Sequence, residues 1–207
     1  MPYGKTVRYR MDVPPRQRPS RLSKDHWTAA ALEALADGGL AAVAVEPIAA
    51  RLGATKGSFY WHFTNREALV TATLELWERV DTERVIAAIE AEPAGIARLR
   101  ALIVGAIGGH AGVGSRAELA LQATAQHPLV APVLARVTRR RLDYLTELFA
   151  ELGFPVDEAA RRAQLAYTSY LGIGQLAHAT PEQADLSPEY LDTMLNALTG
   201  TVSPRHD

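Results

Sequence analysis

The 207-residue sequence contains no cysteine, and this absence excludes disulfide bonds, cysteine-ligated zinc, iron–sulfur clusters and thiol catalysis. It also lacks a long apolar run, since the longest, residues 101–109, is far shorter than the roughly 20 residues that cross a membrane. The first 21 residues carry six Lys or Arg and no apolar stretch, which is not the pattern of a secretory signal. We therefore expect a cytoplasmic protein that does not enter a membrane.

An excess of charge is absent as well, because 22 Lys and Arg face 23 Asp and Glu, and a net charge of −1 argues at first sight against a nucleic-acid partner. The total conceals a division of the chain. Residues 1–66 contain 10 basic and 5 acidic side chains, a net charge of +5, whereas residues 67–207 contain 12 and 18, a net charge of −6. The basic part is where a nucleic-acid site is to be sought.

Apolar residues recur with helical spacing from Ser23 onward, and no alternation typical of β-strands is present. The predicted fold is all-α, with about nine helices. We expect the first helix to begin after Ser23 and to end at Gly38-Gly39, where two glycines stop helical structure. A second helix is predicted near residues 46–52 and a third near residues 56–62, with Gly53 in the turn between them.

Three short helices joined in this way predict a helix-turn-helix in its three-helix form, in which the third helix enters the major groove of DNA. Phe59 and Phe63, spaced four residues apart, are expected to anchor that helix in the core. Its outer face then presents small, polar and aromatic side chains, namely Lys56, Gly57, Ser58, Tyr60, Trp61 and His62. The missing side chain of Gly57 allows close approach to a DNA backbone.

The segment IAARLGATKGSFYWHF, residues 48–63, followed by NREAL, residues 65–69, resembles the DNA-binding signature of the TetR family of transcriptional regulators. The resemblance covers roughly residues 23–70. It implies a flexible basic arm at residues 1–20, a helix-turn-helix DNA-binding domain at residues 21–68 and an effector-binding and dimerisation domain at residues 69–207. Only length and a helical layout connect the C-terminal part with the family.

Carried over by position, the resemblance implies that Thr55 and Tyr60 contact phosphates and that Arg66 meets a phosphate at the start of the fourth helix. It places the remaining DNA-binding residues on the recognition helix: Lys56, Gly57, Ser58, Trp61 and His62. Each has another interpretation, because Tyr60 and Trp61 can pack against the core, His62 can tie two short helices together and Arg66 can be a solvated charge. The segment before the second helix departs from the family, which often has Ser or Thr there, whereas this chain has Ala-Val-Glu-Pro at residues 44–47.

The Arg-rich arm has two interpretations that the sequence does not separate. Basic arms of helix-turn-helix proteins can enter the minor groove or follow the phosphates. The alternative is a disordered tail that only improves solubility.

The helices from residue 94 onward are amphipathic on more than one side, which favours a bundle with an internal cavity for a small, mostly hydrophobic effector. Polar or aromatic residues at inward positions are candidate effector ligands: Trp77, His110, Gln122, Tyr144, Tyr167 and Tyr170. For each, an ordinary place in the core is the alternative. The scattered histidines do not have metal-ligand spacing, and no cofactor is expected.

A homodimer is expected, because two recognition helices related by a two-fold axis read a palindromic operator. The last two helices are the predicted interface, with small residues that permit close approach (Ala159, Ala163, Ala166, Gly172, Gly174) and an apolar stripe (Leu191, Met194, Leu195, Leu198). The alternative is that these faces close the core of the monomer itself.

We expect a DNA-binding repressor that an effector releases from its operator. A structural or protein-binding helical bundle without DNA binding is one alternative. An enzyme is the other, and it has weaker support: Gly172 to Ala177 superficially fits a dinucleotide fingerprint, yet no strand precedes it and no other catalytic motif is found.

Overall fold

The computed structural model describes residues 22–109 and 112–200. The predicted arm at residues 1–20 and the predicted effector ligand His110 lie outside this part of the chain. The described residues form ten α-helices and two short irregular helical turns: α1 Lys24–Ala42, α2 Val45–Arg51, α3 Lys56–Phe59, α4 Arg66–Glu78, a π-helical turn Arg79–Glu83, α5 Arg84–Glu90, α6 Ile96–Gly108, α7 Val113–Ala123, α8 Ala131–Glu151, α9 Val156–Ala179, a 3₁₀ turn Pro181–Gln183 and α10 Pro188–Thr199.

The all-α prediction is confirmed, and its helix order is that of the structure. The first helix differs at its end, because Gly38 and Gly39 leave helical geometry and the chain then turns helical again as far as Ala42. Gly39 has φ +70°, a conformation that residues with a side chain rarely adopt. The two glycines therefore produce a kink, and the chain turns there toward α2.

The fourth helix continues past Glu78 through the π-helical turn into α5. The residues at both junctions keep right-handed helical dihedrals, so α4, the π turn and α5 form one continuous rod from Arg66 to Glu90. Counted with this rod as one unit and without the 3₁₀ turn, the described residues contain nine helices, in agreement with the predicted number.

Two hydrophobic clusters hold the helices together. The first surrounds Trp27, Phe59 and Trp77. It contains residues from helices α1, α2, α3, α4 and α7 and from the first half of α8. The second surrounds Tyr144 and Phe149 and joins α5, α6, α9 and α10 with the second half of α8. Helix α8 thus belongs to both clusters, and the proposed boundary after residue 68 divides the sequence but not the packed core.

Of the small residues predicted for a dimer interface, Ala159, Ala163, Ala166 and Gly174 are buried inside the monomer, whereas Gly172 is exposed. Ala159 and Ala163 are fully buried, and Leu195 and Leu198 of α10 are buried in the same cluster. Arg162 fastens α10 to α9 by donating to the carbonyl oxygens of Leu198 and Gly200. The buried members of the predicted interface therefore close the core of the chain itself, and the remaining surface of the last two helices stays a predicted interface.

Across residues 22–109 and 112–200, no single helix is both long and apolar enough to span a membrane; α6 and α7, bent by 75° relative to each other, meet that condition only as a pair. The same residues contain no group of three or more His, Asp or Glu side chains arranged to hold a metal ion.

Candidate nucleic-acid interface and effector cavity

The short helix α3 is fixed by a turn, a cap and an aromatic anchor. Gly53, at φ +62°, makes the turn after α2, and the Thr55 hydroxyl caps α3 by accepting a hydrogen bond from the Ser58 amide at 3.2 Å. The Phe59 ring is fully buried, with its centroid 5.4 Å from that of Trp27 on α1 and 5.5 Å from that of Phe63. The opposite face of α3 is consequently held outward and in a fixed orientation.

Helix α3 ends at Phe59, earlier than the predicted residue 62, and the turn that follows it adds an unusually aromatic surface to this outward face. Trp61 is 85% exposed and Tyr60 is 57% exposed, whereas His62 and Ser58 are half-buried. The packing alternative for Trp61 does not describe this structure, because the indole lies in solvent. Exposed rings of this size indicate a surface that another molecule covers.

Gly57 lies on the same face, and nothing within the chain requires a glycine there. A Cβ at this position would meet only the Thr55 hydroxyl, at an ordinary contact distance of 3.7 Å, and the backbone is not in the left-handed region. The absence of a side chain therefore suits a partner outside the chain that approaches the backbone of α3 closely.

Lys56 begins α3 and forms an exposed ion pair with Glu46 of α2, with 2.7 Å between Nζ and Oε1. The hydrogen bond from Lys56 lowers the pKa of Glu46, and the same bond raises the pKa of Lys56. Glu46 lies in the segment that departs from the family pattern, so the departure places a carboxylate beside a predicted base-reading residue.

Arg66 at the start of α4 has a structural role that the sequence did not predict. Its Nε donates to the carbonyl oxygen of Val43 and its Nη2 to that of Leu40, each at 2.6 Å. These bonds engage carbonyl groups at the end of α1, where helical carbonyls run out of partners; that of Leu40 also accepts from the Val43 amide at 3.3 Å. Arg66 thereby fixes the start of α4 against the kinked end of α1, and its predicted phosphate contact stays a prediction.

An open cleft of about 360 Å³ lies where the N-terminal ends of α2 and α4 meet α3. Lys56, Tyr60 and Arg66, three of the predicted DNA-binding residues, line it together with Asn65, which caps α4 by accepting from the Ala68 amide at 2.8 Å. The ends of two helices and two cations favour a phosphate group in this cleft, whereas the Glu46 carboxylate, which also lines it, opposes one.

Residues 28–73, which run from α1 into α4, match the family model described as "Bacterial regulatory proteins, tetR family". Over this segment, which contains the helix-turn-helix, the chain is similar to TetR-family regulators. TetR-family regulators are DNA-binding transcription factors and in general not enzymes.

Solved structures of regulators share the fold over most of the chain. A TetR-family transcriptional regulator from Streptomyces coelicolor is 24% identical, with a TM-score of 0.70, over 88% of this chain and 92% of that one. A transcriptional regulator from Rhodococcus sp. Rha1 is 21% identical, with a TM-score of 0.70, over 86% and 95%. SmeT, the repressor of a Stenotrophomonas maltophilia multidrug efflux pump, is 21% identical, with a TM-score of 0.64, over 88% and 96%.

The C-terminal bundle encloses a cavity of about 410 Å³. Its wall is formed by the π turn and α5 on one side and by α6, α7, α8, α9 and α10 on the others. Most of the lining is aliphatic, including Val85, Ile86, Ile89, Leu102, Ile103 and Met194. A cavity of this size and character can hold a small, largely apolar molecule.

Of the predicted effector ligands, Tyr144, Tyr167 and Tyr170 line this cavity. Trp77 does not, because its ring is fully buried in the first cluster and its Nε1 donates to the carbonyl oxygen of Gly114 at 3.1 Å. Gln122 does not either, since its side chain is exposed on α7. The prediction that Trp77 and Gln122 line the effector site is therefore wrong for this cavity.

A buried polar network beside the cavity was missed by the sequence analysis. Arg141 of α8 lies at its centre and bonds to Glu118 of α7 and to Asp81 and Thr82 of the π turn. Asp81, Thr82 and Arg141 also line the cavity. One signal in the sequence marks such a site: Glu118 follows the core residue Ala117 and precedes Leu121 by three positions, so it lies on the inner face of a helix.

Proposed function

We propose that this chain is a homodimeric repressor that binds a palindromic operator and leaves it when a small, mostly hydrophobic effector fills the cavity. The observation that supports this proposal is the continuous rod from Arg66 to Glu90. Its first residue lines the DNA-facing cleft, and its last turns, from Asp81 to Ile89, line the cavity. A change at one end of a stiff helix is transmitted to the other.

Helix α8 holds the rod through three arginines, of which Arg140 lies 3.7 Å from the Glu83 carboxylate of the π turn. Arg136 binds the Glu78 carboxylate through Nε at 2.7 Å and Nη2 at 2.5 Å, and one helical turn further along, Arg141 binds Asp81 and Thr82. An effector that fits the cavity only when α5 shifts would favour the shifted state by its differential affinity. The start of α4 would move with it, and the spacing of two DNA-reading heads in a dimer would change.

For the DNA contacts, we propose that the exposed face of α3 enters the major groove with Lys56, Ser58, Trp61 and His62, and that Gly57 permits the close approach. Thr55, Tyr60 and Arg66 contact the phosphates from the adjoining cleft. Arg66 binds its two carbonyl groups through Nε and Nη2 and remains half-exposed, so a phosphate can lie against the same guanidinium.

For the dimer, we propose the outer face of α9, where Leu165 is 53% and Leu176 is 47% exposed and Gly172 lies between them on the same side of the helix. Apolar side chains around a position without a side chain allow two helices to approach closely across a two-fold axis. Light scattering is expected to give a species of twice the 22.4 kDa chain mass. A monomer at micromolar concentration would contradict the proposed assembly.

The DNA-binding part is tested by selecting bound sequences from a random DNA library and by gel shifts on the DNA that flanks the gene. Selection is expected to recover an inverted repeat, and a reporter under its control is expected to rise when the gene is deleted. Failure to enrich any sequence, or enrichment of a single half-site, would overturn the proposed operator.

We also propose the cytoplasm as the place of action.

A further inference from the structure

The effector cavity has one polar corner, which contains the charged groups of its wall. Among the lining residues that the structure describes, Asp81 and Arg141 are the charged ones. Glu118 lies directly behind them and is almost fully buried. The corner therefore holds two carboxylates and one guanidinium around an otherwise apolar space.

Every donor of Arg141 is already engaged. Its Nε donates to the Thr82 hydroxyl at 3.0 Å, its Nη1 to both carboxylate oxygens of Glu118 at 2.8 Å, and its Nη2 to the Asp81 carbonyl at 3.2 Å and carboxylate at 3.0 Å. Arginine has five N–H donors, and five acceptors surround this one. An anionic ligand would find no free donor on Arg141 and would face the Asp81 carboxylate.

Glu118 is enclosed on its other side as well. The Tyr167 hydroxyl donates to one of its oxygens at 3.3 Å and the Tyr170 hydroxyl to the other at 2.9 Å. With the two bonds from Arg141, four donors satisfy this carboxylate. Glu118 is thus neutralised within the protein, and Asp81 is the acid that faces the cavity.

The charge of the corner is not balanced, because one guanidinium serves two carboxylates. Uncompensated charge away from water is costly, and a protein relieves it by taking up a proton or by binding a counter-ion. Burial raises the pKa of Asp81; Arg141 opposes this effect and Glu118 adds to it. A ligand that brings one positive charge to Asp81 would complete the balance without a proton.

The aromatic lining favours the same kind of ligand. Tyr167 and Tyr170 direct their hydroxyl groups to Glu118 and also line the cavity, with ring centroids 6.2 Å apart. Arg141 itself lies 6.0 Å from the Tyr170 ring centroid, so this ring already has one cation nearby. Electron-rich rings around a partly dry site attract cations.

We propose that the effector is an apolar molecule with a single cationic group, such as a protonated amine, and that this group lies beside Asp81. The inference rests on the proposed function in taking the cavity as the effector site. It adds the charge of the ligand and the residue that recognises this charge.

The test uses three ligands that share a phenyl ring and a four-carbon chain but differ in the terminal group: 4-phenylbutylamine, 4-phenylbutanol and 4-phenylbutyrate. Binding to the full chain is measured by calorimetry and, in parallel, by release of selected DNA. We expect the amine to bind at least about tenfold more tightly than the alcohol, and the carboxylate to bind most weakly. Equal binding of amine and alcohol, or preference for the carboxylate, would overturn the inference.

A variant identifies the residue. Asp81→Asn is expected to remove the advantage of the amine and to leave the alcohol bound as before, whereas Asp192→Asn, which removes an exposed acid paired with Arg100 on the surface, is expected to preserve it. If Asp81→Asn does not fold, as judged by circular dichroism, the ligand series on the unmodified chain still decides the question. An alcohol that binds best and releases DNA refutes only the charge inference. A series that does not bind at all removes the cavity as an effector site.

Discussion

The ammonium group of Lys56 lies 2.7 Å from the carboxylate of Glu46, on the surface proposed to meet DNA. Both side chains are exposed, so this ion pair adds little to the stability of the fold. It does occupy the lysine that the family resemblance assigns to the recognition helix. Under the proposed function, Lys56 would exchange this carboxylate for a base edge or a phosphate when DNA binds.

Glu46→Gln is expected to tighten DNA binding severalfold at low salt, because it frees Lys56 and removes a negative charge from the interface. Since the number of phosphates neutralised increases, the dependence of log affinity on log salt is expected to steepen by about one phosphate contact. Fluorescence anisotropy over a series of salt concentrations measures both quantities. Glu147→Gln, which removes the same charge from the exposed side of α8, is the matched control and is expected to leave both unchanged. Weaker binding by Glu46→Gln would mean that Glu46 positions Lys56 and does not compete for it.

Lys56→Ala is expected to change which sequence is preferred, whereas Tyr60→Ala is expected to weaken binding to all sequences alike. The reason is that a lysine on the recognition helix can donate to the acceptors of guanine, while a tyrosine in the cleft reaches only the phosphates. Repeating the random-library selection with each variant separates the two effects. An unchanged preference in Lys56→Ala would contradict its base-reading role.

Trp61→Ala is expected to lower DNA affinity by at least about tenfold while the unfolding free energy changes by less than about 0.5 kcal/mol, because the indole is 85% exposed. Phe59→Ala, which removes a buried ring from the inner face of α3, is the control for a change that affects stability. Its ring is fully buried, and its loss is expected to cost about 3–5 kcal/mol of stability. A strongly destabilised Trp61→Ala would indicate that the indole contributes to the fold.

Arg66→Ala is expected to reduce both stability and DNA affinity. It removes two hydrogen bonds from a charged group to the carbonyl oxygens of Leu40 and Val43, which corresponds to about 1–3 kcal/mol of unfolding free energy. Arg66→Lys retains the charge but loses the planar fork that reaches both carbonyl groups. If phosphate contact depends on charge, Arg66→Lys keeps more of the DNA affinity than of the stability. The contrary outcome is that Arg66→Ala loses stability but keeps its DNA affinity at a temperature where the variant is folded. That result would mean that Arg66 stabilises the fold and does not contact a phosphate.

The helix-turn-helix was predictable because its constraints are local. A cap at Thr55, a glycine in the turn at Gly53 and aromatic residues four positions apart are all visible in a window of a few residues, and each has the predicted place in the structure. The exposed position of Trp61 was the expected one, although packing on α1 was an open alternative.

The cavity corner was not predictable in the same way, because its members come from distant parts of the chain. Arg141 is 60 residues from Asp81 and 23 residues from Glu118, and only the packing of α7 and α8 against the π turn brings them together. The prediction that Ala159 and Ala163 lie in a dimer interface was wrong for a related reason. Small residues permit close approach to any helix, and the sequence does not say whether the neighbour belongs to the same chain.

Asp81 provides a prediction about pH. It contacts Arg141 of α8 directly; Glu118 of α7, Tyr170 of α9 and Trp77 of α4 are the other groups near it. Burial, with Glu118 adding to it and Arg141 opposing it, raises the pKa of Asp81 above its ordinary value of 3.8. A carboxyl group with a raised pKa in the folded state contributes stability that is complete below the unfolded pKa and is lost as pH rises through the folded value.

The unmodified chain is therefore expected to lose stability relative to Asp81→Asn as the pH rises from about 4 toward neutrality, because asparagine does not titrate. Thermal unfolding of both proteins across this range gives the difference, and groups other than Asp81 contribute alike to both curves. A difference that is constant, or that grows in favour of the unmodified chain at higher pH, would show that Asp81 is ionised and well compensated by Arg141 alone. Under the charge inference, saturating 4-phenylbutylamine stabilises the ionised carboxylate. The amine is then expected to flatten the pH dependence, and the alcohol is expected to leave it as it is.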